Sequence, residues 1–367
     1  MPAQVGPSIP LIQEVEEAEF MTENNAGSVI YILGAGFSCG AGLPLSNNFI
    51  EKMGIVRNEY NSILKDHPVS VKEPIKELFQ FHARKQNLFD ESLINNIEFL
   101  LSLVSAITLG GISSRGFTKY KMQIAIAQTI AHYVNLSSQT GYIDKFVRQI
   151  RSSTNQSTII TLNYDDLIER SCERVQKKYR YGFKKRGYDG YFDIDQSDYV
   201  GAMLDTDEDE TSMPIYKLHG SYNWLTENGN GSVRLFSDMQ RFFSNKSFWG
   251  GGEWVKHGLV IEPPTIDKMY AGRVLSVIWG RAYESLVSAT SITVIGYSFP
   301  ENDGYVKYLL MASLSDNDAL EKFTIVDPCC CENTYKTRIN WLKILLEKKK
   351  VKLHFCQEKA EDWILSK

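Results

Sequence analysis

The sequence predicts an α/β fold with a doubly wound parallel sheet and an inserted helical subdomain. Several short apolar runs are nearly continuous in Val, Ile and Leu, as in strands that helices cover on both faces. A polar or glycine-rich turn follows most of these runs, and a long stretch after the first run has helical periodicity instead. These observations favour a Rossmann-like sheet, in which ligands bind beyond the carboxyl ends of the strands.

Seven apolar runs are predicted to be the buried strands. They span residues 29–33, 159–162, 215–218, 259–261, 292–295, 323–326 and 351–355. The turns after them begin at Gly34, Asn163, His219, Glu262, Gly296 and Asp327. Because the carboxyl ends of parallel strands meet at one edge of a sheet, we expect most of these turns to lie close together.

The rest of the chain divides into one domain with insertions. Residues 26–367 are predicted to form the domain, after an acidic N-terminal arm at 1–25. A helical insertion is expected at about 51–155, where apolar residues recur at helical spacing. Surface loop insertions are expected at about 177–212 and 227–252.

The composition narrows the classes of function. The chain has 367 residues, 43% of them hydrophobic, and a net charge of −4, which gives no global field to attract nucleic acid or membranes. No run approaches the ~18 apolar residues of a membrane span. The six cysteines form no CxxC pair or zinc-spaced cluster, so we expect no metal and free thiols in a reducing cytoplasm.

The first predicted strand runs directly into a glycine-rich turn, Gly34-Ala35-Gly36-Phe37-Ser38. Glycines let the backbone approach an anion, and the helix that follows offers N–H groups to it. The GxGxxG pattern is incomplete, because Cys39 stands where its third glycine belongs. The sequence is consistent with a phosphate cradle and also with a tight turn whose glycines serve packing alone.

Five segments resemble the sirtuin-like domain family, in particular its bacterial NAD-hydrolysing, antiphage branch. They are similar to the family's GAGxSxxxGIP loop, its QNID and HG segments, its GxS loop and the strand end that contacts ribose. Here they are GAGFSCGAGLP from Gly34, TLNYD from Thr161, LHGS from Leu218, GYSF from Gly296 and IVD from Ile325. Each is weak alone, but the five occur in family order and frame almost the whole chain.

The resemblance implies that the chain hydrolyses NAD to nicotinamide and ADP-ribose, with Asn163 and His219 as catalytic residues. The implied NAD-binding residues are Gly34, Ala35, Gly36, Phe37, Ser38, Leu43, Pro44, Asp165, Gly296, Ser298 and Asp327. Among them, Asp165 is implied to bind the nicotinamide carboxamide and Asp327 a ribose diol. A turn glycine at 296 and a loop aspartate at 327 are the alternative roles.

The chemistry of the two catalytic candidates suits that reaction. An imidazole at His219, just beyond a strand, can accept a proton from water or a ribose hydroxyl near neutral pH. The Asn163 amide both donates and accepts, which suits positioning either group. The alternatives are a packed histidine bonded to the backbone, and a helix cap formed by residues 163–165 for a helix predicted at 166–175.

The sequence departs from the deacylase branch of the family in two places. The paired CxxC motifs of the deacylase zinc module are missing, and Leu45-Ser46 replaces the Phe-Arg that follows the proline of the loop. These departures favour hydrolysis of NAD. An NAD-dependent protein deacylase and a module that binds NAD or ADP-ribose without turnover remain the alternatives.

An enzyme that depletes cellular NAD must be held inactive in healthy cells. The resemblance to stand-alone family members implies a homo-oligomer and a HerA-type hexameric ATPase as partner. A basic, aromatic cluster at 177–186 is followed by an acidic run at 205–210, which favours a solvated loop over direct nucleic-acid binding. The aromatic group at 242–254 is equally consistent with a lid, an oligomer contact or packing.

Overall fold

A computed structural model describes residues 27–63, 95–109, 119–182, 212–227, 233–236, 257–261, 273–301 and 303–367, with single positions between 83 and 90 and at 239. The N-terminal arm, the acidic run, the aromatic group and the turn at 262–264 lie outside the described residues. Within them the strands are β1 (Ser28–Leu33), β2 (Gln156–Thr161), β3 (Tyr179–Arg180), β4 (Met213–Lys217), β5 (Gly220–Glu227), β6 (Val233–Leu235), β7 (His257–Ile261), β8 (Ser291–Ile295), β9 (Lys322–Val326) and β10 (Lys352–Cys356).

The described residues also form helices, most of them between β1 and β2 or after β7. They are α1 (Ala35–Cys39), α2 (Phe49–Ile63), α3 (Ile97–Leu109), α4 (Lys119–Leu136), α5 (Gly141–Ser152), α6 (Leu167–Arg174), α7 (Arg273–Val287), α8 (Gly304–Asp316), α9 (Asn333–Arg338), α10 (Asn340–Lys349) and α11 (Ala360–Ser366). None of the helices in the described ranges combines the length and apolar character needed to cross a bilayer.

Seven strands form one parallel sheet in the order β10-β9-β8-β1-β2-β4-β3. The chain fills the sheet outward from β1, first toward β2 and then, from β8 onward, on the other side. β1 and β8 are buried almost throughout, because helices cover both faces of the sheet. The predicted doubly wound parallel sheet is therefore confirmed, and its switch point lies between β1 and β8, where such sheets bind ligands.

The register of the sheet aligns the last residues of its central strands in one row. Leu33 of β1 pairs with Thr161 and Ile295, Thr161 pairs with Lys217, and Ile295 pairs with Val326. The residues that follow each strand therefore emerge at the same edge. This row brings the glycine-rich turn, the Asn163 segment, the His219 segment and the Gly296 turn together.

All seven predicted runs form strands, but the run at 259–261 lies in a different sheet. As part of β7 it pairs antiparallel with β5, which also pairs with β6 in a small three-stranded sheet. The seventh parallel strand is instead the two-residue β3, in a stretch predicted to be a surface loop. A short apolar run indicates a strand without indicating its partner, and a short charged edge strand has no apolar pattern to reveal it.

The predicted helical insertion contains helices with two different positions. α3 and α4 pack together, and α4 also packs on β5 and β7 of the small sheet. α5 instead packs against α6 and α11, beside the parallel sheet. Its Phe146 ring lies 5.0 Å from Tyr31 of β1 and 5.4 Å from Phe37 of α1, so α5 serves as the crossover helix between β1 and β2.

Candidate active site

A cavity of about 620 Å³ opens at the carboxyl edge of the sheet, over the switch point. Its floor comes from the turns after β1, β2, β4, β8 and β9. Its opposite wall comes from α3 and α4, which contribute Ile97, Leu101, Ile126 and Ile130. The inserted helices thus give the cavity an apolar side, while the strand ends give it a polar side, as in most small-molecule sites.

The glycine-rich turn packs directly on the turn that follows β8. A Cβ on Gly34 would lie 2.5 Å from the Gly296 carbonyl, and one on Gly36 would lie 2.8 Å from the Gly296 Cα. The Gly36 N–H donates to the Gly296 carbonyl at 2.8 Å. The packing role that the sequence allowed for these glycines is therefore present, and it holds the two turns side by side at the cavity floor.

Asn163 joins the β2 turn to the glycine-rich turn. Its Nδ2 donates to the Gly34 carbonyl at 2.9 Å and to Ser38 Oγ at 3.1 Å. The side chain is almost fully buried, and it still lines the cavity. Because both N–H groups are committed to the protein, Asn163 meets a ligand through Oδ1, as a hydrogen-bond acceptor.

His219 lies against a carboxylate from the segment after β8. Its Nε2 is 3.3 Å from Oδ2 of Asp303, and both residues are 3% exposed. The Tyr297 hydroxyl donates to the same Asp303 oxygen at 3.0 Å. Burial, followed by the charge of Asp303, raises the pKa of Tyr297 well above its usual 10, so this hydroxyl stays protonated. A carboxylate in this position fixes the orientation of the imidazole.

Gly220 makes the sharp turn that places His219 at the edge of the sheet. Its φ of +77° lies in the left-handed region, and a Cβ there would lie 1.9 Å from the Val260 carbonyl. The turn redirects the chain from β4 of the large sheet into β5 of the small sheet. The His-Gly pair therefore has a structural reason: the glycine permits the turn that leaves the histidine facing the cavity.

Asp165 is a buried carboxylate that lines the cavity. Burial raises its pKa from 3.8 to about 6, although the positive charge of Lys217 and a hydrogen bond from Ser38 oppose this rise. Its Oδ1 also accepts from the Leu167 N–H at 3.1 Å, at the start of α6. Asp165 therefore bonds the first backbone N–H of α6 and also lines the cavity, although the N-cap residue itself is Asp166, which makes no side-chain capping bond.

The replacement Asp165→Asn is expected to stabilise the fold by about 1–3 kcal/mol at pH 7, because ionising this carboxyl costs energy in the folded state alone. A carboxyl group whose pKa is raised by folding stabilises the folded state fully at pH values below its unfolded-state pKa of 3.8. This stabilisation is lost as the pH rises through about 6. The gain in stability from Asp165→Asn should therefore vanish near pH 4. Urea unfolding of both proteins at the two pH values measures it; equal stability at pH 7 would contradict the argument.

Charged groups from three further segments also line the cavity. Asp327, after β9, accepts the Cys329 N–H at 2.8 Å, and burial raises the pKa of its carboxyl. Arg338 of α9 donates to the Ser298 carbonyl at 3.4 Å. Lys359 and Glu361 enter from the start of α11. The charges of these groups are mixed in sign, which suits an anionic group beside sugar hydroxyls.

The structure brings most of the predicted site residues to this one cavity. Its lining includes Ala35, Gly36, Ser38, Leu43, Pro44, Asn163, Asp165, His219, Gly296, Ser298 and Asp327. Gly34 lies just beneath it, bonded through its carbonyl to Asn163. The Phe37 side chain is the exception, because it is 1% exposed and packs on Tyr142 and Phe146 in the core.

Two polar groups near the cavity were not predicted from the sequence. Asp303 lies seven residues beyond the Gly296 turn, so no strand end or motif marks it. Lys217 lies inside the predicted strand run 215–218, and a charged residue inside a strand buried on both faces needs a partner. The need of a buried lysine for a charged partner is the sequence signal that could have identified Lys217. Among the described residues, no group of His, Cys, Asp and Glu has the arrangement of a metal site.

Comparison with known proteins gives a family match. The model of the SIR2-like domain family matches residues 157–345, just over half of the chain. No curated protein sequence matches the chain significantly.

Structures of Sir2 proteins are among the solved structures that match. One, solved for the mechanism and regulation of Sir2 enzymes, has 10% identity and a TM-score of 0.43 over 93% of this chain and 90% of that chain. A Sir2–p53 peptide–NAD+ complex has 10% identity and a TM-score of 0.39 over 92% and 90%. Sir2 bound to acetylated peptide has 9% identity and a TM-score of 0.40 over 92% and 91%.

Proposed function

The chain belongs to the SIR2-like domain family, and from this premise we propose that it binds NAD+ in the cavity and hydrolyses it to nicotinamide and ADP-ribose. One observation carries the proposal: Asn163, Asp165 and His219 line the same cavity as the glycine-rich turn. At about 620 Å³ the cavity lies within the range of small-molecule sites, which runs from about 300 to 1,000 Å³.

The residues of the cavity suit the separate parts of NAD+. In this proposal the pyrophosphate lies over the Gly34–Gly36 turn, where side chains are small and backbone approach is close. The adenosine ribose lies at Asp327, whose carboxylate can accept from both hydroxyls of a diol. The nicotinamide lies toward Asp165, whose carboxylate accepts from the carboxamide N–H2. The second ribose then falls between Asn163 and His219.

Cleavage requires the N-glycosyl bond to break through an oxocarbenium-like transition state. The bond between ribose C1′ and the nicotinamide nitrogen breaks, its electron pair leaves with the nicotinamide, and water bonds to C1′. His219 accepts the proton that this water loses. The Asp303 carboxylate beside Nε2 stabilises the imidazolium that forms. Asn163 Oδ1 orients the water or the 2′-hydroxyl.

The decisive experiment incubates the purified protein with NAD+ alone and follows nicotinamide release by chromatography. Steady release of nicotinamide and ADP-ribose in equal amounts supports the hydrolase. A deacylase would consume little NAD+ until an acyl-lysine peptide is added. Tight NAD+ binding in calorimetry without any nicotinamide release would instead identify a binding module.

The replacement Asp303→Asn is expected to lower kcat by about 10- to 100-fold, because the imidazolium loses its charged partner. Tyr297→Phe is the matched control: it removes the other hydrogen bond to the same carboxylate and should cost less than about tenfold. Steady-state kinetics at pH 7.5 measures both variants. An Asp303→Asn enzyme with the kcat of the wild type would exclude Asp303 from the mechanism.

The proposed reaction would deplete cellular NAD, so we further propose an antiphage role with control by assembly. By family resemblance the partners are other copies of this chain and a HerA-type hexameric ATPase. Light scattering of the purified chain tests self-assembly, and affinity purification from its native host tests the ATPase. A monomeric chain that recovers no ATPase would contradict this part of the proposal and leave the hydrolase itself untouched.

A further inference from the structure

We propose that the buried ion pair Lys217–Glu169 is a positioning element that holds the Asn163–Asp165 segment against the strand end bearing His219. The inference rests on the proposed function, since it assigns the pair a part in the same site. Lys217 is the last residue of β4, two positions before His219. Its Nζ donates to the backbone carbonyl of Asp165, two positions after Asn163. One side chain therefore links the two segments that carry the catalytic candidates.

The contacts of Lys217 hold its side chain in one conformation. Its side chain is 0% exposed, and its Nζ lies 3.0 Å from Oε1 of Glu169 on α6. The same Glu169 oxygen accepts from the buried Tyr181 hydroxyl at 3.0 Å. With the ammonium and the carboxylate both bonded and both buried, neither side chain can move without breaking a charged hydrogen bond.

Stability alone is a poor reason for this pair. Removing two charges from water costs about as much as their attraction returns, and well-packed apolar residues of similar volume often give an equal or more stable fold. What apolar residues cannot supply is a bond to the Asp165 carbonyl or a positive charge beside the Asp165 carboxylate. Both of these act on the cavity wall, which points to a role in the site.

The second effect of the pair is electrostatic. The groups that face the Asp165 carboxyl are Lys217 from β4, Glu169 from α6, the Ser38 hydroxyl from α1 and the Tyr142 hydroxyl from α5. Lys217 lowers the pKa of Asp165, whereas Glu169 raises it. Loss of the lysine charge should therefore raise the pKa of Asp165, and loss of the glutamate charge should lower it.

The test compares the pH profiles of kcat/KM for nicotinamide release by Lys217→Met and Glu169→Gln. In the wild type the acidic limb is expected to include the titration of Asp165, whose pKa is about 6. Lys217→Met should move this limb up by about one pH unit, and Glu169→Gln should move it down. Lys217→Arg, which keeps the charge, should leave it near the wild-type position. The control is Leu346→Ala, a buried substitution on α10 away from the cavity, which should leave the limb unmoved.

A second readout needs no activity. Aspartate labelled with ¹³C at the carboxyl carbon reports the titration of Asp165, assigned by the signal that Asp165→Asn removes. Opposite shifts in Lys217→Met and Glu169→Gln support the positioning pair, even if the protein releases no nicotinamide and the proposed function fails. If the Asp165 titration is the same in both variants and the wild type, the inference is wrong. Should Lys217→Met not fold, Glu169→Gln alone decides between these outcomes.

Discussion

Replacing His219 by alanine is expected to reduce nicotinamide release by about 10²- to 10⁴-fold, the usual contribution of a general base. The variant should keep its fold, because the imidazole has a hydrogen bond to Asp303 but no part in the strand pairing of β4.

Asn163→Ala should also abolish turnover. It removes the bonds to the Gly34 carbonyl and Ser38 Oγ as well, so it should cost about 1–3 kcal/mol of stability.

Single-turnover and steady-state assays on folded protein measure this prediction, with circular dichroism melts to show that the variants are native. His354→Ala is the matched control, since His354 is a half-buried histidine of β10 that does not line the cavity. It should retain the activity of the wild type. Normal turnover in His219→Ala would remove the imidazole from the mechanism.

The second large effect is expected for Gly296→Ala, which should destabilise the fold by about 3–5 kcal/mol. Gly296 has φ of +64°, and an added Cβ would lie 2.3 Å from the Phe37 nitrogen and 2.5 Å from the Gly36 carbonyl carbon. These are backbone atoms, so no side-chain rotation relieves the clash. The β8 turn must separate from the glycine-rich turn, which opens the cavity floor.

Chemical denaturation measures the stability of Gly296→Ala, and titration calorimetry measures its affinity for NAD+. Both should be lower than in the wild type. Gly280→Ala supplies the matched control. Gly280 lies in α7, and an added Cβ would meet no atom within 4 Å. Alanine is also the better helix former, by about 0.5–1 kcal/mol, so this variant should be as stable as the wild type or more so. A Gly296→Ala protein that binds NAD+ and melts normally would contradict the packing argument.

The sequence predicted those parts of the fold that depend on local residue patterns, namely the strands and helices. All seven apolar runs form strands, and the helix predicted at 166–175 is α6. Six of those strands join the parallel sheet, because near-continuous apolar runs need cover on both faces. The strand at 259–261 was assigned to the wrong sheet, since its pairing with β5 depends on contacts that no local pattern records.

The candidate site was predictable where it follows strand ends. Asn163, His219, Gly296 and Asp327 each come within two residues of a strand, and parallel register brings such positions to one edge. Asp303 and Lys217 were missed for different reasons. Asp303 reaches His219 through a segment of irregular backbone, and the partner of Lys217 lies on a helix 48 positions earlier in the chain.

By itself the sequence determined the strands, the turns that follow them and the residue types available at the sheet edge, because these depend on neighbours along the chain. Only the tertiary structure decided which charged groups meet. His219 with Asp303, and Lys217 with Glu169 and the Asp165 carbonyl, are long-range pairs in a buried setting. Burial makes such contacts strong and specific. Which charged groups pair depends on how whole helices and strands pack together, and no local sequence pattern reveals that packing.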